Sequence, residues 1–522
     1  MANIRGTAGN DFLVGDFDPL LPDDVLNSSW LAGADTMSGG NGDDTYNVNS
    51  NDDVVGEGNG PSSGIDTVIS QVLSYTLTDN VENLVLQEVD HFGTVNANGT
   101  VSIALGFGAP TAITGTGNLL DNHITGNSNN NQLYGLDGDD TLAGLDGNDV
   151  LRGGDDNDSL DGGDGNDLLY GENNNDTLSG GEGEGLDTLD GGSGSDSMTG
   201  GAGNDVYFVD AAGDVVVEAS ALVSLLPPGT DAVYASISET LDANVENLFL
   251  TGTASLNGTG NASANWIVGN TAANTLDGLG GADTLQGGGG NDTYVVNHAS
   301  DQIVEIAGAG TDLVKASVTF KLNDVDVENL TLTGSTAING TGNSSANLIK
   351  GNSASNTLKG LVGNDTLQGN GGDDIIEGGD DADRIYGGLG IDILHGHGAA
   401  NDNEEDRFYF STALNATTNW DKIESASFDG VDGVEDDEIY LDDAIFTGLS
   451  MAGGALVEYA EGAGTTGNLV TDGVGIYLDT STGNLYYNAT ATVANDSVLF
   501  ASISNFIAGG SASLEASDFT LY

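Results

Sequence analysis

The chain has 522 residues, with 81 Asp and Glu against 9 Lys and Arg, a formal net charge of −72, 82 glycines, 6 prolines and no cysteine. Nine scattered cations cannot build the basic patch that nucleic acid or an anionic membrane needs, so neither is an expected partner. Disulfides and thiolate metal sites are excluded, abundant glycine with scarce proline is wrong for collagen, and no apolar run reaches the length of a membrane span. A body this acidic repels itself unless cations neutralise it. A uniformly acidic halophilic surface is the competing account, but here the acids recur in phase with glycines.

The N-terminal Met1-Ala2-Asn3-Ile4-Arg5 has no basic region followed by an apolar one, so Sec export is not expected. Gly6-Thr7-Ala8-Gly9-Asn10-Asp11 already has a glycine-and-acid form, and residues 1–45 read as short turns with Asp35 and Asp44 at the acid position. Residues 46–114 change pattern. They carry Tyr46-Asn47-Val48, then Asp53 to Glu57, then Gly64/Asp66/Val68, then Val81-Glu82-Asn83-Leu84. Their alternation of apolar and polar residues predicts strands.

Residues 115–206 hold the clearest repeat, with a period of nine. From Gly135 the chain reads GLDGDDTLA, GLDGNDVLR, GGDDNDSLD, GGDGNDLLY and GENNNDTLS. The sixth position gives Asp140, Asp149, Asp158, Asp167 and Asp176; after a two-residue insertion it gives Asp187, Asp196 and Asp205. The eighth is Leu142, Leu151, Leu160, Leu169 and Leu178. Glycine permits positive φ and tight turns that present backbone carbonyls inward. The Asp adds a hard anionic oxygen, which suits Ca²⁺ and its six to eight oxygen ligands. The tail of each nonapeptide is a short strand with one inward residue. Two nonapeptides make a rung, rungs stack as parallel β pairs, and each turn lies over the turn eighteen residues earlier. A Gly/Asp-rich disordered linker is the alternative by composition, but a linker has no reason to keep an apolar column.

This Gly-Gly-x-Gly-x-Asp-x-Leu-x pattern resembles the RTX, or hemolysin-type, calcium-binding repeat. The resemblance covers roughly residues 1–398. It implies an all-β chain of parallel β-roll or β-solenoid stacks, multiple bound Ca²⁺ ions, and export by type I secretion to the cell surface or the extracellular space. The long pattern of 46–114 returns at 207–257 and 294–339, as glycine-poor, calcium-poor β segments. Nonapeptides return at 258–293 with Asp283 and Asp292, and at 340–398 with Asp365, Asp374, Asp383 and Asp392. With the earlier sixth-position acids, these are the expected metal ligands. Each run following a β segment opens with Asn in the acid position: Asn122/Asn131, Asn265/Asn274 and Asn347/Asn356. Asn can close a turn through its own side-chain hydrogen bonds, so these rungs are expected to be neutral adapters that need no cation.

Residues 399–522 lose the nonapeptide and gain aromatics. Asp406-Arg407-Phe408-Tyr409-Phe410, Glu438-Ile439-Tyr440-Leu441-Asp442, Thr482-Gly483-Asn484-Leu485-Tyr486-Tyr487 and the terminal Ala516–Tyr522 resemble the C-terminal region of RTX proteins exported by type I secretion. The resemblance implies a β-rich cap carrying an uncleaved signal; Asn488 stands where family members often have Asp. A ligand-binding sandwich is the alternative.

Catalytic patterns are not expected. There is no His-Glu-x-x-His and no Gly-x-Ser-x-Gly, and the pair His395/His397 has ordinary strand spacing. The expected function is therefore structural rather than enzymatic: calcium-bridged homo-assembly into a surface layer (S-layer), sheath or filament. An adhesin binding cell-surface glycan is the second reading, and an RTX-tailed enzyme the third.

Overall fold

The structure is a computed structural model. It describes residues 34–57 except 41, 65–87 except 73, 113–218 except 182, 229–397, 404–424 except 416, 437–447, 449, 475–479, 481–488, 497–503 and 518–522. It also describes short strands at 3–5, 12–14, 25–27, 94–95, 101–102, 451–452, 455–456 and 459–462. The sequence features at Gly6–Asp11, Gly64 and Ala516-Ser517 lie outside the described residues, as does the boundary drawn at 398/399.

The described elements are β-strands joined by turns, and none of the described residues lies in an α-helix. Residues Met1–Thr251 form one compact unit and Gly252–Tyr522 a second. In the first, the successive strands from Ile113–Thr116 to Thr177–Ser179 alternate between two parallel sheets, so each rung there contributes one strand to each. One sheet has eleven described strands, from Asn3–Arg5 through Thr141–Asp146 and Ser159–Asp164 to Val215–Val217. The register is eighteen residues: Leu133 pairs with Leu151, and Leu142 with Leu160. The insertion after Gly180 stretches it to twenty without breaking it, since Leu169 pairs with Leu189 and Leu178 with Met198.

The inward residue of each short strand builds the core. Leu133, Leu142, Leu151, Leu160, Leu169, Leu178, Leu189 and Met198 are all buried. Each such side chain contributes about 1.5–3 kcal/mol on burial, and its neighbours along the strand face outward because strand side chains alternate. Turns need a left-handed residue at the second position, which Gly154 (φ +129°) and Gly163 (φ +103°) supply. Leu136 (φ +97°) and Leu145 (φ +79°) occupy the same position at a steric cost that glycine avoids.

The glycine-poor segments belong to the same sheets. Met198 pairs with Val216, and Tyr207 with Val233, both in parallel register. The changes of pattern at 46, 115, 207, 258 and 294 fall within the strands Thr45–Val48, Ile113–Thr116, Val206–Val209, Asn257–Thr259 and Thr293–Val296. They mark changes of side-chain pattern along continuous sheets.

In the second unit the same rungs run on past residue 398. Ile385 pairs with Phe408, Phe408 with Ile439 and Ile439 with Phe519, all parallel. The other sheet continues through Leu394 and Ile423 to Ile503, then turns antiparallel at Val498–Ile503, Asn484–Asn488 and Gly475–Asp479. Larger side chains fill these last rungs: Phe500 meets Phe410 and Phe446 edge-on, with ring centroids 5.3 and 5.2 Å apart.

Candidate metal centres

The sixteen expected ligands are Asp35, Asp44, Asp140, Asp149, Asp158, Asp167, Asp176, Asp187, Asp196, Asp205, Asp283, Asp292, Asp365, Asp374, Asp383 and Asp392. All are buried, and none is more than 3% exposed. They form columns through one recurring contact. The backbone N–H of each Asp donates to Oδ1 of the Asp one rung on: Asp140 to Asp158 (2.8 Å), Asp158 to Asp176 (2.8 Å), Asp149 to Asp167 (2.7 Å) and Asp374 to Asp392 (2.8 Å). The second oxygen is different. Oδ2 of Asp140, Asp149, Asp158, Asp167, Asp176, Asp283, Asp365 and Asp374 is buried without a hydrogen bond.

That oxygen points at the first glycine of its own turn. A Cβ on Gly135 would collide with Asp140 Oδ2 and with the carbonyl oxygen of Gly153, one rung on; Gly144, Gly162 and Gly369 repeat the arrangement. Glycine is needed there because carboxylate and carbonyl oxygens fill the space. A buried carboxylate oxygen without a donor is expensive. Burial pushes these groups up from 3.8: Asp158 and Asp374 to about 8, Asp140, Asp167 and Asp365 to about 7, and Asp149 to about 6. The accepted N–H bond opposes the rise in each case, and neighbouring carboxylates add to it. Anionic and carbonyl oxygens in one cradle fit a hard divalent cation of the Ca²⁺ type. Such an ion would sit between rungs, held by Asp Oδ2 and the glycine carbonyls, and would cancel the repulsion within each column.

The Asn rungs are built differently. Asn122 Oδ1 accepts from Asn118 N–H (2.7 Å), and Asn131 Oδ1 from Asn127 N–H (2.8 Å). The same contact joins Asn265 to Asn261, Asn274 to Asn270, Asn347 to Asn343 and Asn356 to Asn352. The amide nitrogens of Asn122, Asn274, Asn347 and Asn356 donate to a carbonyl of the preceding rung, as Asn356 does to Ile338 (2.6 Å) and Asn274 to Leu256 (3.1 Å), while that of Asn131 donates to Asn127 Oδ1 (3.3 Å). An amide supplies the donor that a carboxylate lacks, so these turns close without a charge. The second-position Asn of each turn escapes the sequence reading, although Gly-Asn-x-x-x-Asn recurs at all six.

Other acids continue the columns beyond the nonapeptides. Asp66 Oδ1 accepts from Asp44 N–H, Asp231 from Asp205, Asp312 from Asp292, Asp406 from Asp383 and Asp437 from Asp406. The other column ends at Asp53, Asp214 and Asp301, where both oxygens are used. Asp214 Oδ1 accepts from Asp196 N–H, and its Oδ2 from Asp210 and Ala211. Asp301 repeats this with Asp283, Asn297 and His298. His395 lies 3.6 Å from Glu424 across adjacent strands.

A stack of glycine turns closed around buried carboxylates defines a cation-stabilised parallel β-roll. The family model described as the RTX calcium-binding nonapeptide repeat (4 copies) matches residues 3–18, 31–55, 116–151, 152–186, 183–216, 259–294, 341–367 and 360–394. The chain carries RTX calcium-binding nonapeptide repeats in several copies along its length. No curated protein matches it.

The columns predict different costs for two substitutions. Asp158→Ala removes the cap on Asp140 N–H and a ligand oxygen from the middle of a column. It is expected to lower the number of bound Ca²⁺ ions and the cooperativity of their binding. Asn131→Ala removes the side chain's contacts with Asn127, so it is expected to cost about 1–3 kcal/mol of stability with the ion count unchanged. Calcium titration and thermal unfolding of both variants decide; equal losses of bound calcium contradict the neutral role of the Asn rungs.

Proposed function

We propose that this protein is a secreted structural protein, exported by type I secretion, which folds outside the cell and assembles through calcium into a surface layer, sheath or filament. The observation that favours this role over a catalytic one is a second acid row outside the buried one. Asp137 pairs with Asp155 and Asp146 with Asp164 at the turn edges, and all four are exposed. Like charges held one rung apart on a surface attract divalent cations, and a cation there has coordination positions left for a neighbouring molecule. A formal charge of −72 keeps calcium-free chains apart.

Light scattering with and without millimolar Ca²⁺ tests the reading. The quadruple change Asp137→Asn, Asp146→Asn, Asp155→Asn and Asp164→Asn is expected to reduce large assemblies while leaving calcium-induced folding in place. Wild-type protein that stays monomeric in millimolar Ca²⁺ at high concentration overturns the assembly role. An adhesin reading would then gain weight, because Phe208, Tyr234 and Phe249 stack in a strip on one sheet, with centroids 5.5 and 4.9 Å apart and Phe208 exposed. Such a strip offers apolar ring faces to a sugar, and retention on a glycan column would follow. Among the described residues no helix is long and apolar enough to cross a membrane.

A further inference from the structure

Where a nonapeptide stack ends, the register places a glutamate in the slot of a glycine. Ser197, Met198 and Thr199 pair with Val215, Val216 and Val217, so Glu218 follows as the counterpart of Gly200. Thr284, Leu285 and Gln286 pair with Gln302, Ile303 and Val304, which sets Glu305 against Gly287. A regular stack would bring a glycine carbonyl to this position. Here a carboxylate comes instead, and the Tyr two residues beyond the Asp reaches it: Tyr207 donates its hydroxyl to Glu218, and Tyr294 to Glu305.

The result is a compact cluster of three carboxylates at each site. Ligand oxygens of Asp205, Glu218 and Asp231 lie within 4.8 Å of one another, as do those of Asp292, Glu305 and Asp312. Asp205 and Asp231 are 1% and 0% exposed, and Oδ2 of each has no hydrogen bond. Asp292, 1% exposed, likewise has an Oδ2 without a donor. A Cβ on Gly200 would collide with Asp205 Oδ2 and the Tyr207 hydroxyl, and one on Gly287 with Asp292 Oδ2 and the Tyr294 hydroxyl. Two separate stretches of sequence therefore build the same cradle. Around residue 39 a third has the same elements: the Gly39 N–H donates to the Tyr46 hydroxyl (2.7 Å) and to Glu57 Oε1 (3.0 Å).

We propose that Asp205–Glu218–Asp231 and Asp292–Glu305–Asp312 are calcium sites of a second kind, each closing the end of a nonapeptide stack. The nonapeptide site combines Asp with glycine carbonyls; the closing site replaces a carbonyl with the Glu carboxylate, and the Tyr hydroxyl holds that Glu in place. Three carboxylates give hard anionic ligation for Ca²⁺ or a lanthanide. Tyr207 and Tyr294 are positioning residues. The proposal concerns ion binding within one molecule and does not depend on assembly.

The test uses the full chain. Equilibrium dialysis with radioactive calcium counts bound ions in wild type, Glu218→Gln, Glu305→Gln, the double variant, and Glu184→Gln, an exposed acid outside the clusters. Each single change is expected to remove one ion and the double change two, with Glu184→Gln unchanged. An unchanged count in the folded double variant overturns the proposal, because a Tyr–Glu pair satisfied without a cation tolerates glutamine. Should the double variant fail to fold, terbium luminescence excited through tyrosine gives a second readout. The paired change Tyr207→Phe and Tyr294→Phe, which keeps all six carboxylates, is expected to lose most of that emission. Undiminished emission also overturns the proposal.

Discussion

Removing calcium with excess chelator at neutral pH is expected to abolish the β-sheet circular dichroism, and restoring millimolar Ca²⁺ to return it cooperatively. Each nonapeptide buries one Leu, for about 1.5–3 kcal/mol. It also buries one Asp, and a carboxyl held at about 7 rather than 3.8, as Asp140 is, opposes folding by roughly 4 kcal/mol above pH 7. Within a metal-free nonapeptide the electrostatic cost thus matches or exceeds the apolar gain. A cation between rungs reverses that sign for two turns at once. Because it binds the folded column and not the open chain, it stabilises the fold by mass action. Loss of order should start in the Asp stacks and spread, since each rung supports its neighbours. Native circular dichroism in excess chelator would sink this account.

The nonapeptide stacks were legible in the sequence because three residue types with different duties keep one phase. Gly sets the turn, Asp aims inward, and Leu fills the core. Where insertions break the phase, the same acid column continued unseen. Asp66, Asp231 and Asp312 lie 22, 26 and 20 residues beyond the Asp they cap, and Asp406 and Asp437 lie 23 and 31 beyond theirs. The glycines around them are largely gone, but the Asp-x-apolar fragment survives, as in Asp231-Ala232-Val233 and Asp406-Arg407-Phe408. That fragment is enough to hold a column, because strand pairing sets the depth of the Asp and the intervening loop can be any length. The roles of Glu218 and Glu305 were hidden for the opposite reason. Both were visible as members of a long repeat, but only the strand register reveals that each stands in a glycine slot.

Acid is expected to order the calcium-free protein. Stripped of calcium by dialysis and titrated downward from about pH 8, the chain should gain β signal as the buried carboxyls take up protons. Burial is the main cause of their raised values, with Asp158 and Asp374 at about 8, Asp187 and Asp365 at about 7, and Asp176, Asp283 and Asp292 at about 6. Between their ordinary value of 3.8 and these values, the folded chain holds more protons than the unfolded one. Stability of the metal-free fold therefore falls as pH rises from about 4 to about 8, and is fully present only below about 4. The calcium-loaded protein should lack this gain, since bound Ca²⁺ holds the same oxygens ionised and protons must compete with it for them. Asp158→Asn separates charge from shape: it carries the neutral form at every pH, so in calcium-free solution it should raise the β signal at neutral pH and flatten the local pH response. Circular dichroism on samples shown by sedimentation to be soluble decides between these outcomes. A calcium-free protein that loses residual β structure on acidification would mean that the buried Asp columns do not oppose its folding.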